Sequence, residues 1–470
     1  MVFSGMVFLF AFVPVVFLLY FLLPSVCGNT VLFAASLFFY AWGEPKYILL
    51  MLASTAAAYV TGLFADKKKY GKKKAGYAAL LAVVWNIGLL LYFKYSDFAV
   101  TNINSLFHSS LKLPGLALPI GISFYSFQSL SYVIDVYRGE VKPQRNFLTL
   151  GTYVALFPQL VAGPIVRYID IERQLSSPRR FDIQKFASGA KRFSVGLAKK
   201  ALLANNIYAL FNEIGAAPAK DMSVAAAWLG AIAYTFQIYF DFSGYSDMAI
   251  GMGKMLGFDF LENFDYPYIS KSITEFWRRW HISLSSWFRD YVYIPLGGNR
   301  RGTARQCLNI AIVWALTGFW HGAAWNFLLW GVYFGAVLLI EKFVLKKALD
   351  KLPAAVQHIY ALFLIVIGWG IFAYDDSVQL KANFANMFGL GHLPIWSAQT
   401  SLWLKQYLVL FIVLVIGSTP LMSKAGRKLN RLSPVVYQNV AEPLAMLFML
   451  FMSTAYLASS AFNPFLYFRF

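Results

Sequence analysis

Long uncharged blocks, not alternation, set the pattern of this chain. Apolar runs cover about residues 7–23, 29–42 and 47–64, separated by Pro24-Ser25 and Gly43-Glu44-Pro45. A helix needs about 20 apolar residues to cross a bilayer. The first and third runs therefore predict membrane helices. The second is marginal in length and fits either a span or a re-entrant segment. Val7–Leu23 reads as a retained helix and not a secretory signal, because no basic residue precedes Lys46 and such signals begin with a positive region. Further along, Ala78–Tyr92 and Ala225–Phe240 predict spans, as do runs at about 359–373, 402–418 and 441–462. Ala201–Ile214 fits an interfacial helix or a short span. A further uncharged run extends from Leu308 to Ile340.

Two apolar stretches are interrupted. Leu118–Gln128 carries Pro119, Gly121, Ser123, Ser126 and Gln128. Broken helices persist at membrane depth only when buried in protein or lining a wet cavity, so a re-entrant segment and a kinked helix both fit. Leu148–Val161 ends in Phe157-Pro158-Gln159-Leu160-Val161-Ala162-Gly163-Pro164. Its prolines and glycine break helices and predict a turn.

Between the apolar blocks the cations cluster. Lys67–Lys74 holds six lysines in eight residues, which predicts a cytoplasmic loop. Arg167–Lys200 is expected to contain an amphipathic cytoplasmic helix, and the stretch at about 94–114 reads as a mixed polar loop. Glu341–Lys351 is basic, and Lys424, Arg427, Lys428 and Arg431 mark another cytoplasmic loop. With three crossings before Lys67, both termini fall outside. Only 13% of residues are charged, about half the soluble average, so the fold class is an all-α polytopic membrane protein. A net charge of +19 can mean a nucleic-acid partner. Here the cations sit at the ends of apolar runs, where they meet lipid headgroups or a phosphorylated cosubstrate. No nucleic acid is expected. Cys27 and Cys307 are too few for a disulfide framework, and no Cys/His cluster suggests a metal. No tandem repeat divides the chain, so one membrane domain over 1–470 is expected, with its chemistry at about 115–345.

Several polar residues stand where polarity is expensive. His321 is the one side chain in Leu308–Ile340 that titrates near neutrality. An ionisable group at membrane depth marks a functional site by default, though a histidine that packs two helices fits too. Gly318 and Gly322 flank it as a Gly-x-x-x-Gly pair, which lets helix backbones approach closely. Asp241 and Asp247 lie among aromatic residues. A buried carboxylate must be paired, hydrogen-bonded or protonated, and a structural network with an arginine is the stronger reading. Phe276–Tyr291 mixes cations with Trp277, Trp280 and Trp287, near one helical stripe. That mixture favours the membrane interface, which makes His281 a wet interfacial histidine. Pro295–Gly302 is a Gly-rich basic loop that fits a positive-inside cytoplasmic turn, with phosphate holding as the alternative.

Together, Leu118–Arg138, Phe157–Tyr168, Tyr239–Gly251, Phe276–Arg300 and Thr317–Asn326 resemble the membrane-bound O-acyltransferase superfamily. The specific signal is Arg278-Arg279-Trp280-His281-Ile282-Ser283-Leu284 followed by Trp320-His321-Gly322. The resemblance is strongest to the bacterial alginate O-acetylation branch and fades after about residue 375. It implies a ring of tilted transmembrane helices with re-entrant and interfacial helices around a funnel or tunnel. The donor enters from the cytoplasm and the acceptor from the other face. It maps the family's histidine onto His321 and a second, more variable polar position onto His281. Asp241, Asp247, Gln128, Trp320 and Asn326 become tunnel-lining or structural polar positions. The resemblance also implies acetyl-coenzyme A or an acyl carrier thioester as donor substrate, with no tightly bound cofactor. It implies an extracytoplasmic SGNH-type acyltransferase partner and a bacterial inner-membrane location. Arg289, Arg300 and Arg301 are candidates for the donor phosphates.

A hydroxyl is a poor nucleophile until its proton leaves. Apolar burial disfavours the imidazolium, so a buried histidine stays ready as a base. The expected reaction is direct attack on the thioester with His321 as general base, in aromatic surroundings from Trp314, Phe319, Trp320 and Trp325 that exclude water. His281 orients substrate or relays a proton. A ping-pong route through Ser283, Ser285 or Ser286 is the mechanistic alternative. Two other functions fit parts of the pattern. One is D-alanyl transfer from a carrier protein for teichoic acid modification. The other is a proton-coupled transporter or flippase using Asp241 and Asp247.

Overall fold

A computed structural model describes residues 1–161 and 163–459, and every secondary-structure element among them is helical. Among the described residues, six helices are long and apolar enough to cross a membrane: Ser25–Gly43, Lys67–Phe107, Trp325–Leu349, Ala354–Ala373, Ala398–Gly417 and Pro434–Ser459. Residues 460–462 of the expected last span, and Ala162 of the Pro-Gly turn, lie outside the described residues. The second run is thus among the long helices. Phe8–Leu22 and Ile48–Phe64 are shorter, because Pro24 and Pro45 cap the chain's apolar length on either side.

Among the described residues, those within 1–193 and 245–261 form one compact unit, and those within 194–244 and 262–459 another. In the first unit, several expectations of loops are overturned. The lysine-rich segment is helical from Lys67, capped where Asp66 accepts the Lys68 amide at 2.9 Å. Gly71 breaks the helix at φ 76° and ψ 160°. Helix then persists to Phe107, so most of the stretch read as a polar loop at about 94–114 is helical. There Asn102 donates to the Phe98 carbonyl one turn back, so a polar side chain rides on the helix instead of ending it. The interruption near Leu118–Gln128 falls before the helix, not inside it. Gly121 adopts φ 76° and its α-carbon faces the Leu160 carbonyl so closely that a Cβ would lie 2.6 Å from it. Ile122–Arg138 then runs unbroken, with Ser126, Gln128 and Ser129 buried. The basic stretch after Arg167 divides into Tyr168–Ser176 and Ile183–Ala198.

The second unit is organised by an aromatic core. Trp277 packs on Trp314 at 4.6 Å, on Phe334 at 4.9 Å and on Trp330 at 5.5 Å between ring centres. Trp280 meets Trp369 at 4.7 Å. Such large rings dominate core energetics through area and edge-to-face geometry. Trp277 and Trp280 therefore belong to the protein core and not to an interfacial stripe, while Trp287 lies apart against Phe288 and Tyr291. The expected single stripe fails because the chain breaks at Trp280-His281, leaving two seven-residue helices, Ile273–Arg279 and Ile282–Phe288.

The long uncharged run Leu308–Ile340 is likewise two helices. Thr303–His321 and Trp325–Ile340 are joined by an extended turn. Their contact uses glycine on both sides: a Cβ at Gly318 would collide with the Phe327 carbonyl, and one at Gly331 with the Trp314 carbonyl. Removing side chains lets the two backbones touch. Val224–Met255 is one continuous helix through Asp241 and Asp247, and it is not among the six apolar spans.

Candidate functional site

His321 ends the helix Thr303–His321. Gly322 follows with an extended backbone, and its α-carbon lies against the Phe327 ring so closely that no Cβ fits. The turn therefore folds tightly around the histidine. His321 is buried, with its ring 5.0 Å from Trp320, 5.0 Å from Trp330 and 5.3 Å from Phe372. The expected aromatic surroundings are revised: Trp325 is 61% exposed and Phe319 37% exposed, and Trp330 and Phe372 pack on His321 instead. Asn326 is buried beside this box, where its amide donates to the Phe372 carbonyl at 3.2 Å. That bond ties the start of Trp325–Ile340 to the end of Ala354–Ala373.

His281 sits at the break between Ile273–Arg279 and Ile282–Phe288, with φ 44° and ψ 53°. A left-handed conformation is strained for a side-chain-bearing residue and costs of order 1–3 kcal/mol. It is only 1% exposed, so the expectation of a wet interfacial histidine is overturned: the chain reversal turns the imidazole inward. Its ring packs edge-on against Phe242 at 4.7 Å and lies 5.9 Å from Trp320. Burial alone pushes the imidazole down to about 3, because an apolar surround disfavours the cation. His281 and His321 are thus both packed around one indole, that of Trp320.

Asn263 holds the reversal in place. Its backbone carbonyl accepts the Ile282 amide at 3.0 Å. Its side-chain Oδ1 faces His281 Nδ1 at 3.1 Å, accepts the Ser283 amide at 3.2 Å and accepts Ser283 Oγ at 2.9 Å. The helix before the reversal is anchored at its start by Glu341, which is buried and accepts from Ile273 N at 2.6 Å, Thr274 N at 2.8 Å and Thr274 Oγ1 at 2.8 Å. Three donors at a helix N-terminus suit one carboxylate. Arg279 closes the same helix by bridging Glu275 at 3.0 Å and Asp265 at 2.8 Å. Of the three serines, Ser283 is buried, Ser286 half-buried and Ser285 exposed.

The aspartates are ion-paired. Asp241 meets the buried Lys200 at 2.5 Å, within the second unit. Gly244, where a Cβ would lie 2.8 Å from the Gly196 carbonyl, sets the close approach that lets Lys200 reach it. Within the first unit, Arg192 Nε and Nη2 donate to Asp247 Oδ1 at 2.9 and 2.7 Å. Gln128 is buried in the first unit. Arg289 points outward, 62% exposed, and pairs with Asp290 at 2.7 Å. Arg300 and Arg301 are exposed on the Gly-rich turn, where Gly297 takes φ 108°. The two histidines, Trp320, Asn326, Asp241 and all three arginines thus belong to the second unit, and Gln128 and Asp247 to the first. Asn263, Glu341, Lys200, Arg192, Trp330 and Phe372 carried no sequence signal. Trp330 reaches His321 across the turn between two helices, and the others act through partners 18 or more residues away.

Residues 35–370 match the membrane-bound O-acyltransferase (MBOAT) family. The chain is 39% identical to a probable alginate O-acetylase of Azotobacter vinelandii, over the full length of both proteins. It is 34% identical to the peptidoglycan O-acetyltransferase of Helicobacter pylori, over 84% of this chain and 81% of that protein. A teichoic acid D-alanyltransferase of Streptococcus thermophilus is 30% identical over 48% of this chain and 58% of its own length.

Proposed function

Because this multi-pass membrane protein belongs to the membrane-bound O-acyltransferase family, we propose that it moves an acetyl group from a cytoplasmic thioester across the membrane to a hydroxyl acceptor, for O-acetylation of an exopolysaccharide or cell-wall glycan, with His321 as general base. The full-length similarity to an alginate O-acetylase, and the long match to a peptidoglycan O-acetyltransferase, support acetyl transfer to a glycan over D-alanyl transfer. The observation that carries the assignment of the base is the enclosure of His321 by Trp320, Trp330 and Phe372, beside a second buried histidine.

The chemistry follows from that enclosure. The His321 imidazole takes the acceptor's hydroxyl proton as the oxygen attacks the thioester carbonyl. The tetrahedral adduct collapses, the carbon–sulfur bond breaks, and the imidazolium returns the proton to the departing thiolate, directly or through a water. The aromatic walls exclude bulk water, which protects the thioester from hydrolysis. His281 orients the acceptor or relays its proton. Acetyl-coenzyme A is the donor, and the exposed Arg300 and Arg301 meet its phosphates as it arrives, with Arg289 nearby in sequence. The expected location is the bacterial inner membrane, with an extracytoplasmic SGNH-type acyltransferase passing the acetyl group to the polymer.

The test uses membranes carrying the full chain, with radiolabelled acetyl-coenzyme A on the cytoplasmic face. Alkali-labile label on an envelope glycan, or on an extracytoplasmic partner protein, is expected. Label that appears only from a D-alanyl carrier protein, or no protein-dependent label at all, overturns the proposal.

A further inference from the structure

We propose that Asn263 is a positioning residue that fixes His281 in the tautomer protonated at Nδ1, leaving Nε2 as a hydrogen-bond acceptor within the apolar interior. The Ser283 amide fixes which way the Asn263 side chain is turned. A backbone N–H can only donate, and it lies 3.2 Å from the Asn263 side-chain atom assigned as Oδ1. The reverse orientation of the amide would set an NH₂ group against that N–H, donor against donor. The atom facing Ser283 is therefore the carbonyl oxygen, and an oxygen only accepts. The same atom lies 3.1 Å from His281 Nδ1, so Nδ1 carries the proton. A neutral imidazole has one N–H, so Nε2 is left with its lone pair. Nε2 is fully buried and no described residue hydrogen-bonds to it.

Three further features agree. His281 is 1% exposed and Asn263 is fully buried, so water does not compete for the contact. The left-handed backbone at His281 is held from both sides of the same asparagine, by the carbonyl that takes the Ile282 amide at 3.0 Å and by the side chain. The imidazole packs against the Phe242 and Trp320 rings and faces the neutral Asn263 amide. An acceptor at Nε2 matches a group that takes a proton from a hydroxyl or steadies that hydroxyl for attack; an N–H there would oppose both. The role in acyl transfer rests on the reading of His281 under Proposed function. The tautomer itself does not.

The experiment is nitrogen-15 NMR of the full chain, labelled at histidine, in lipid vesicles at neutral pH, with the His281 signals identified by their loss in His281→Gln. The wild type is expected to show a protonated Nδ1 and a bare Nε2. Asn263→Asp keeps an acceptor facing Nδ1, so it should retain that tautomer and raise the imidazole's titration by more than one pH unit. Asn263→Leu should populate the Nε2–H form and lower the acyl-transfer rate at least tenfold, with Asn263→Asp restoring a measurable part of it. A wild-type spectrum with Nε2 protonated overturns the proposal without any variant having to fold. So does an unchanged tautomer in folded Asn263→Leu. If the tautomer is as stated while His281→Gln transfers acyl groups at the wild-type rate, the tautomer stands and the catalytic reading of His281 fails.

Discussion

Asp241 offers the sharpest separation of a structural role from a chemical one. Its carboxylate is 2.5 Å from Lys200 Nζ, and the two side chains are 2% and 3% exposed. At that distance, with an effective dielectric of about 20, the attraction is about 7 kcal/mol. Each ion also gave up its hydration, which costs several kcal/mol, so the pair's net worth is far smaller. Removing one partner is different, because the survivor keeps the desolvation cost and loses the attraction. Asp241→Asn and Lys200→Met should each destabilise the folded protein by about 3–5 kcal/mol. The double variant buries no charge and should lie well short of the sum, with a coupling of at least about 2 kcal/mol. The assay is denaturant unfolding in detergent, with acyl transfer measured in membranes in parallel. Additive losses would refute the reasoning. An Asp241→Asn protein that is fully stable but inactive would refute it differently, by giving the carboxylate a chemical role.

Three other predictions test separate contacts. Glu341→Gln supplies one acceptor oxygen where three donors now bond, so it should cost about 1–3 kcal/mol in thermal unfolding, and no loss would contradict the anchoring role. Gly318→Ala places a methyl against the Phe327 carbonyl and should destabilise by about 1–3 kcal/mol, whereas Gly88→Ala meets open space and should be neutral or slightly stabilising. Acidification acts through His281. Its folded value of about 3 lies below the unfolded value of roughly 6.5, so between those limits only the unfolded chain takes up the proton. Stability is full above about pH 6.5 and falls as pH falls, by about 2 kcal/mol at pH 5. His281→Gln should lose that share of the pH dependence, as read from unfolding curves at several pH values.

What the chain discloses by itself depends on how local each cause is. His321 is legible because Leu308–Ile340 contains no other group that titrates near neutrality, and one costly residue in a uniform background needs no partner to stand out. The apolar blocks after residue 354 are equally legible, since span length is a local property. Orientation is not local. Trp325 looked like part of the histidine's surroundings, yet the turn at Gly322–Ala324 swings it outward, and Trp330 and Phe372 take its place. His281 looked interfacial because its neighbours Arg278, Arg279 and Trp280 are interfacial types, while its position is set by a backbone reversal pinned from Asn263. The Lys67–Lys74 stretch read as a loop because charge repels lipid, but charge does not oppose a helix that begins with a good cap at Asp66.

The proposed acetyl transfer depends on His321 as its base. The most direct measurement is the rate of acyl transfer by His321→Ala in membranes, with folding verified by size-exclusion chromatography and an unchanged unfolding midpoint. Loss of a positioned general base predicts a fall of about 10²–10⁴-fold, with the corresponding change at His281 lowering the rate less. A folded His321→Ala protein that transfers acyl groups at the wild-type rate would contradict the central claim.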